Sequence, residues 1–253
     1  MANPVVHFEV VGDAEDPAAV AQFYTGLFGW KHSVYPGETP YITIDTGSTD
    51  GINGGIAAVP GKVLVTVYVA VDDLQATLDR AEELGGKTVM PVTEINDFSI
   101  AQLADSQGNI LGLVSSGPAP EREDSGGQHP VVHFEILATD GPEAKEFWTN
   151  LFGWQMKDIP QLNYSMISAE DHGIPGSIGQ NPTGGNQVTF YVRADDMRGM
   201  LEKANSMGGR TITAPMTVPN GPMLAHFSDP QGNVIGLVAP ADMSQAAGRG
   251  PRG

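Results

Sequence analysis

The sequence of 253 residues contains no cysteine, and basic residues are scarce in it. The lack of cysteine excludes disulfides, thiolate nucleophiles, zinc fingers and iron–sulfur ligation. The 13 Lys and Arg residues stand against 30 Asp and Glu residues, which gives a formal net charge of -17. Such an acidic chain repels phosphate backbones and anionic lipid head groups. We therefore expect neither nucleic acid nor a membrane as a partner.

Long apolar runs are also missing. No apolar run approaches membrane-spanning length, and the N-terminal stretch has neither a basic region nor the apolar core of a secretory signal. Together with the lack of cysteine, these features predict a cytoplasmic protein. Hydrophobic residues make up 40% of the chain, which suits a globular protein with a real core.

What the sequence does contain is a long internal repeat. Val5-Val6-His7-Phe8-Glu9 returns as Val131-Val132-His133-Phe134-Glu135, and the turn Asp105–Asn109 returns as Asp229–Asn233. The spacing between matching landmarks drifts only slowly, which indicates a tandem duplication with small loop deletions. We predict one domain over residues 1–115, a polar linker over 116–129, a second domain over 130–240 and a disordered tail over 241–253.

Within each half, the periodicity predicts two βαβββ modules in series and hence an α+β fold. The first module has a strand over residues 4–11 and a helix from Asp13 to Gly29, capped by Asp13 or Asp16. Its other strands are predicted at Lys31–Tyr35, Tyr41–Thr46 and Ile52–Val59. The second module has a strand at Val63–Val71, a helix from Asp72 or Asp73 to Leu84, and strands at Thr88–Met90, Ser99–Ala104 and Ile110–Val114.

The first strand of each half carries the candidate catalytic residues. Alternate side chains of a strand share a face, so His7 lies beside Glu9, as His133 lies beside Glu135. An imidazole oriented and polarised by a carboxylate can act as a general base or bind a ligand by hydrogen bonds. The alternative is a satisfied polar pair with no catalytic role, because buried polar groups need partners in any case.

Several short motifs together resemble one known family. They are the strand with His7, the helix end Phe23-Tyr24-Thr25-Gly26-Leu27-Phe28-Gly29-Trp30, the junction Val69-Ala70-Val71-Asp72-Asp73, the helix end Leu84-Gly85-Gly86 and the Asp105–Asn109 turn. The chain resembles the vicinal-oxygen-chelate superfamily, which includes glyoxalase I, extradiol dioxygenases, and fosfomycin- and bleomycin-resistance proteins. It is most similar to the tandem two-domain glyoxalase-like proteins of actinobacteria. The resemblance implies two cup-shaped domains, each made of two paired modules.

The resemblance also implies where a metal would bind, namely at the first and fourth strands of each module. Of these positions only His7 and His133 carry a metal-binding side chain. The other positions fall on Gly51–Ile56, Thr66 and Gly112 in the first half, and on Gly176-Ser177, Thr189 and Gly236 in the second. Because a stable site needs at least three suitable ligands, we predict no metal cofactor. A weak atypical site that uses His7 and Glu9 is the alternative.

The same resemblance assigns the ligand to the inside of the cup. Thr66 and Tyr68, like Thr189 and Tyr191, alternate onto that face and are predicted to bind substrate. Gln102 in the first half corresponds to His226 in the second, and both are predicted to bind substrate as well. The alternative is a strand face of ordinary β-forming residues with no role in binding.

These features predict a small-molecule enzyme that uses His7 and Glu9, or His133 and Glu135, on an oxygenated metabolite without the usual divalent metal. The reaction would belong to detoxification or secondary metabolism, and the protein would be a monomer or homodimer. One alternative is a non-catalytic binder that sequesters a drug or metabolite, as bleomycin-resistance proteins do. Another is a metal-dependent lyase or dioxygenase.

Overall fold

The computed structural model describes residues 3–35, 40–95, 98–117, 123–160, 163–169, 172–219 and 221–239. The predicted tail, Ala241–Gly253, lies outside the described residues, as do residues 118–122 of the predicted linker. None of the helices in the described ranges combines the length and the apolar character needed to cross a membrane.

Within the described ranges, each half contains eight strands and two helices in the order predicted for two βαβββ modules. The elements of the first half are β1 (Val5–Gly12), α1 (Pro17–Phe28), β2 (Lys31–Tyr35), β3 (Tyr41–Asp45), β4 (Asn53–Ala58), β5 (Leu64–Val71), α2 (Leu74–Glu83), β6 (Lys87–Ile95), β7 (Phe98–Ala104) and β8 (Ile110–Ser115). Those of the second half are β9 (Val131–Ala138), α3 (Gly141–Phe152), β10 (Met156–Ile159), β11 (Tyr164–Ile167), β12 (Gly176–Gln180), β13 (Gln187–Arg193), α4 (Met197–Ser206), β14 (Arg210–Thr217), β15 (Met223–Ser228) and β16 (Val234–Ala239).

The strands of each half form one eight-stranded sheet. Its order is β2-β3-β4-β1-β5-β8-β7-β6 in the first half and β10-β11-β12-β9-β13-β16-β15-β14 in the second. Strand β1 pairs in parallel with β4 and antiparallel with β5, so the two modules of a half meet at their first strands. The predicted α+β fold with paired modules is therefore confirmed. We call the two sheets the N-terminal cup and the C-terminal cup.

Local sequence signals determine where the helices begin and end. The side chain of Asp16 accepts a hydrogen bond from the backbone N of Ala18 at 2.9 Å, and Pro17 occupies the first turn of α1. Gly29 ends the helix with a φ of 72°, a conformation that glycine adopts without steric cost. Of the two predicted caps, Asp16 is therefore the one used, and Asp73 has the same role at α2.

The apolar core is continuous between the two halves. Phe8 and Phe190, both fully buried, lie with their ring centroids 4.6 Å apart although they belong to different halves. The three tryptophans of the sequence also belong to this core and are buried: Trp30, Trp148 and Trp154. Burial of aromatic surface of this size is a main source of stability.

Each half also anchors a helix of the other half through a buried aspartate. The Tyr24 hydroxyl on α1 donates to Asp229 Oδ2 at 2.8 Å, and Trp148 Nε1 on α3 donates to Asp105 Oδ2 at 3.2 Å. Both aspartates lie in the Asp-x-x-Gly-Asn turn that precedes the last strand of a half. These turns therefore have a second role besides reversing the chain, namely holding the two halves together.

Edge strand β6 is longer than predicted. The sequence predicts Thr88–Met90, whereas the strand runs over Lys87–Ile95. It contains Pro91, which cannot donate to a sheet ladder and is therefore tolerated on an edge strand. Because β6 is the last strand of its sheet and largely exposed, it lacks the alternation of apolar and polar residues that would have revealed its full length.

Candidate functional site

The predicted site residues of the N-terminal cup lie on one face of its sheet. In the antiparallel pairing of β1 with β5, His7 lies opposite Tyr68 and Glu9 lies opposite Thr66. Directly opposed residues point to the same side of a sheet. Phe8 points to the other side, into the core. The structure thus brings together His7, Glu9, Thr66 and Tyr68, as the alternation predicts.

A buried carboxylate lies at the centre of this face. Glu9 is only 8% exposed, and the Tyr68 hydroxyl is 3.2 Å from each of its two oxygens. Gln102 Nε2 in turn donates to the Tyr68 hydroxyl at 3.2 Å. His7 is half-buried, and its Nε2 makes a hydrogen bond of 3.0 Å with the Tyr41 hydroxyl, not with Glu9. The predicted direct pairing of His7 with Glu9 is replaced by contacts through tyrosines.

The C-terminal cup has the same centre with a longer chain of contacts. Glu135, 6% exposed, accepts hydrogen bonds from the Tyr164 hydroxyl on one oxygen and from the Tyr191 hydroxyl, at 2.8 Å, on the other. The Tyr164 hydroxyl lies 2.6 Å from Ser177 Oγ, which lies 2.9 Å from His133 Nε2. On the other side, the Tyr191 hydroxyl lies 2.9 Å from His226 Nε2. Both histidines are therefore linked to Glu135 through hydroxyl groups.

Glycines make room for the tyrosine rings. A Cβ atom on Gly112 would lie 2.4 Å from the Tyr68 ring, and one on Gly236 would lie 2.3 Å from the Tyr191 ring. A Cβ atom on Gly55 would lie 1.9 Å from the Tyr41 hydroxyl oxygen. A larger residue at these positions would displace a tyrosine from its carboxylate. Close approach of another group, and not backbone conformation, is what requires glycine here.

The two threonines predicted to bind substrate are fully buried and bonded to backbone. The Thr66 hydroxyl donates to the Ile110 carbonyl oxygen at 2.8 Å, and the Thr189 hydroxyl donates to the Val234 carbonyl oxygen at 2.6 Å. Each bond links the strand that carries the threonine to the start of the module's last strand. Their role in ligand binding stays a prediction.

Burial controls the ionisation of the site. It raises the pKa of Glu9 and of Glu135, and the hydrogen bonds from tyrosine hydroxyls offset only part of this rise. Burial lowers the pKa of His7 and of His133 to about 4, so both imidazoles are neutral at neutral pH. A neutral imidazole has a lone pair and can accept a proton.

The residues at the family's four metal positions do not fit a divalent cation. Gly112 and Gly236 have no donor side chain, and tyrosine rings fill the space in front of them. The hydroxyls of Thr66 and Thr189 are bonded to backbone carbonyls. In the part of the chain that the structure describes, no three His, Asp or Glu side chains form a group able to hold a metal ion.

Sequence reasoning missed three residues that link the histidines to the carboxylates: Tyr41, Tyr164 and Ser177. Tyr41 and Tyr164 are the first residues of the corresponding strands β3 and β11. Ser177 on β12 lies opposite Glu135 on the neighbouring strand, in the Gly176-Ser177 segment that the sequence analysis considered only as a metal position without a ligand. The equivalent places of Tyr41 and Tyr164 in the repeat were the available signal, but the pairing of strands distant in sequence was needed to interpret it.

Known families match both halves of the chain. The glyoxalase-like domain family matches residues 9–114, and the Glyoxalase/Bleomycin resistance protein/Dioxygenase superfamily matches residues 131–237. The two matches cover the two cups and leave the segment between them unmatched. The duplication inferred from the repeat is thus reflected in two separate family matches.

Individual proteins align with both halves at once. The putative glyoxylase CFP32 of Mycobacterium tuberculosis is 28% identical, over 89% of this chain and 91% of the relative. The anthracycline biosynthesis protein DnrV of Streptomyces peucetius is 29% identical, over 88% of this chain and 89% of the relative. The Mn(II)-bound glyoxalase from Novosphingobium aromaticivorans has a TM-score of 0.69 at 14% identity, over 94% of this chain and 82% of that structure.

At 14% identity the solved structure is informative about the fold alone, whereas the family matches and the two relatives extend over both cups. The architecture, with paired βαβββ modules and two cups in tandem, agrees with these family matches. The chain therefore belongs to the vicinal-oxygen-chelate superfamily, the superfamily of glyoxalases, bleomycin-resistance proteins and dioxygenases, as a tandem two-domain member.

Proposed function

We propose that the protein is a small-molecule enzyme that transfers protons on an oxygenated metabolite without the usual divalent metal. The observation that carries this proposal is the chain from His133 through Ser177 and Tyr164 to the buried Glu135. A neutral imidazole held in one orientation by hydroxyl groups that lead to a carboxyl group is a suitable general base. His7 and Glu9, with Tyr41 beside them, are proposed to have the same role in the N-terminal cup.

The hydrogen-bonding pattern supports a defined tautomer for the proposed base. If Tyr164 donates its proton to Glu135, its oxygen can only accept from Ser177, whose oxygen then accepts from His133 Nε2. His133 would thus carry its proton on Nε2 and have a lone pair on Nδ1. Among the described residues, no hydrogen-bond partner occupies that Nδ1 atom, which is left for a ligand.

The relatives support a class of substrate. One is named a putative glyoxylase and another an anthracycline biosynthesis protein. We propose a carbonyl or phenol compound as the substrate, handled in the cytoplasm in detoxification or secondary metabolism. Tyr68, Gln102, Tyr191 and His226 are proposed to contact it at the edge of the buried centre, and Thr66 and Thr189 to support the neighbouring strands.

The test combines metal analysis with turnover. The purified protein would be assayed by elemental analysis and then, with a chelator present, against glutathione hemithioacetals, catechols and anthracycline aglycones. We expect turnover of at least one compound without bound metal, and loss of that turnover in a His7→Ala, His133→Ala double variant. The matched control replaces two exposed histidines, His32 and His172, by alanine. Retained metal together with chelator-sensitive activity would contradict the metal-free mechanism.

One observation favours a second function, sequestration of a ligand, for the N-terminal cup. Glu9, Tyr68 and Gln102 are bonded to one another, and Gln102 occupies the place that His226 has in the C-terminal cup, so this cup offers fewer proton-transfer groups to a reacting substrate. Binding of a panel compound that is never turned over, and that survives the loss of His7, would support a binding role for this cup.

A further inference from the structure

The C-terminal cup contains a second histidine that the proposed base does not explain. His133, Tyr191, Gly236 and His226 lie side by side on strands β9, β13, β16 and β15, paired residue to residue. Because Gly236 has no side chain, the imidazole of His226 reaches across it to the Tyr191 hydroxyl at 2.9 Å. The rings of His133 and His226 both make edge contacts with the Tyr191 ring, with centroid distances of 5.7 and 5.5 Å.

Hydrogen bonds join these two histidines in one continuous chain. It runs from His133 Nε2 to Ser177, to Tyr164, to one oxygen of Glu135, and from the other oxygen of Glu135 to Tyr191 and His226 Nε2. Every intermediate member can both donate and accept a proton once Glu135 is in its neutral carboxyl form. Among the described residues of the N-terminal cup there is no such chain, because the corresponding end is Gln102, whose amide does not exchange protons in this way.

We propose that His226 is a second proton-transfer group, and that the C-terminal cup moves a proton between two atoms of a carbonyl substrate. This inference rests on the proposed function and deepens it. It assigns the proton transfer to one cup and gives that cup two groups for it, one at each end of the chain.

The proposed step conserves protons and charge. With Glu135 neutral, its protonated oxygen donates to the Tyr191 hydroxyl, in place of accepting from it, and Tyr191 donates to His226 Nε2. Every bond then runs from His133 towards His226, so that His133 Nδ1 has a lone pair and His226 Nδ1 carries a proton. His133 Nδ1 takes a proton from the carbon next to a carbonyl, while one proton moves along each link of the chain. His226 Nδ1 gives a proton to another atom of the substrate. No oxidant, reductant or leaving group is needed, so the reaction is an isomerisation.

The neutral form of Glu135 is consistent with its surroundings. Its side chain is 6% exposed, and burial raises its pKa. In the described residues around it, the groups that contact its oxygens are tyrosine hydroxyls and not cations. A carboxyl group in such a site can hold a proton and release it to a neighbouring hydroxyl, which is the function that the chain requires.

The experiment uses the chain of 253 residues with hydroxyacetone as the probe. In D2O, exchange of its carbon-bound hydrogens is followed by NMR for the parent, His226→Gln, His133→Gln and Ser177→Ala. We expect His226→Gln and Ser177→Ala to lower the protein-dependent exchange about 100-fold, in the range typical of general acid–base groups. His226→Gln should fold normally, since Gln102 occupies the same place in the N-terminal cup. His32→Gln is the control on an exposed strand.

The outcomes separate this inference from the proposed function. If exchange is lost in His133→Gln but unchanged in His226→Gln, the inference is overturned and the proposed function stands. If the parent protein exchanges no hydrogen of hydroxyacetone, a second measurement, on the hydrogen-bond chain between His133 and His226, tests the inference. In protein with 15N-labelled histidine, Ser177→Ala should then change the imidazole nitrogen shifts of both His133 and His226. A change confined to His133 would overturn the inference.

Discussion

The two cups have the same buried glutamate–tyrosine pair but differ in the residues at the two ends of the hydrogen-bond network around it. Both have a buried glutamate bonded to a tyrosine on the neighbouring strand, Tyr68 in one and Tyr191 in the other. In the N-terminal cup the network includes one histidine and ends at Gln102, whereas in the C-terminal cup a histidine lies at each end. The scaffold thus tolerates a change at the ends as long as the tyrosine–glutamate pair is kept.

The two cups also differ in the hydroxyl group that bonds to the histidine of the first strand, His7 or His133. In the N-terminal cup, Gly55 leaves space for the Tyr41 hydroxyl, which bonds directly to His7. In the C-terminal cup, Ser177 occupies the corresponding position and bridges His133 and Tyr164. In both cups a hydroxyl group bonds to the imidazole, but it belongs to a tyrosine in the N-terminal cup and to a serine in the C-terminal cup. The hydroxyl group beside the histidine is therefore common to both cups, whereas the residue that carries it differs.

The largest effect on this shared centre is expected from filling the space beside the tyrosine rings. Gly112→Ala and Gly236→Ala each place a Cβ atom within 2.4 Å of a tyrosine ring that is bonded to the glutamate. We expect each to lower the free energy of unfolding by about 3 kcal/mol, as overpacked cores do. Urea unfolding measures this, with Gly117→Ala as the control because no atom lies near its added Cβ. If Gly112→Ala and Gly236→Ala lose no more stability than Gly117→Ala, the packing argument is contradicted.

The next largest effect should distinguish the two cups. The Tyr191 hydroxyl is bonded to Glu135 at 2.8 Å and to His226 at 2.9 Å, whereas the contacts of the Tyr68 hydroxyl with both oxygens of Glu9 and with Gln102 are each 3.2 Å long. Removing a hydroxyl leaves a buried partner unsatisfied. We expect about 2 kcal/mol of lost stability for Tyr191→Phe and about 1 kcal/mol for Tyr68→Phe, by urea unfolding. Equal losses would mean that the tighter network of the C-terminal cup does not stabilise it further.

A smaller effect tests the serine bridge. Ser177→Ala removes the only hydroxyl between His133 and Tyr164 among the described contacts, and the site stays buried. We expect a loss of about 1 kcal/mol in the free energy of unfolding. The control is Ser33→Ala, on the exposed strand β2. If the two variants are equally stable, the bridge does not contribute to the folded state.

The last comparison concerns a pH dependence common to both cups. The folded protein holds the pKa of His7 and His133 at about 4, below the ordinary value of 6.5. Between these two values the unfolded chain binds more protons, so these histidines make stability fall as pH falls from 6.5 to 4. The raised pKa of each glutamate acts in the opposite sense, because the folded carboxyl group keeps a proton that the unfolded one releases as pH rises.

A difference measurement isolates the histidine contribution. The double variant His7→Asn, His133→Asn should lose less stability than the parent between pH 6.5 and pH 4, measured by urea unfolding at several pH values in that window. The glutamates are present in both proteins and cancel in the comparison. Parallel curves for parent and variant would show that the two histidines are protonated equally in the folded and unfolded states.

The fold was predictable because it depends on local signals that occur four times. Helix caps such as Asp16 and Asp73, the glycine at the end of α1 and the alternation along the first strands each act within a few residues. The length of the edge strand β6 was underestimated because an exposed edge strand does not need alternating apolar and polar residues. The face shared by His7 and Glu9 was also correctly predicted, since it follows from strand geometry alone.

The contacts within the site were less predictable. Neighbouring side chains on one face were expected to bond directly, yet His7 bonds to Tyr41 on a strand two places away in the sheet. Tyrosine side chains are long enough to cross between strands, and the glycines that admit them carry no chemical signal of their own. Such contacts depend on register between distant segments, which periodicity does not specify.

The aspartate anchors between the halves have a consequence for how the two cups can change over time. Tyr24 reaches Asp229, and Trp148 reaches Asp105, so each half completes its packing with the other. Two identical chains joined in this way would have to accept every substitution twice, once in each cup. A single chain with two encoded copies is free of that constraint. One copy carries His226 where the other carries Gln102, so the chemistry of one cup can change while the packing between the halves is kept.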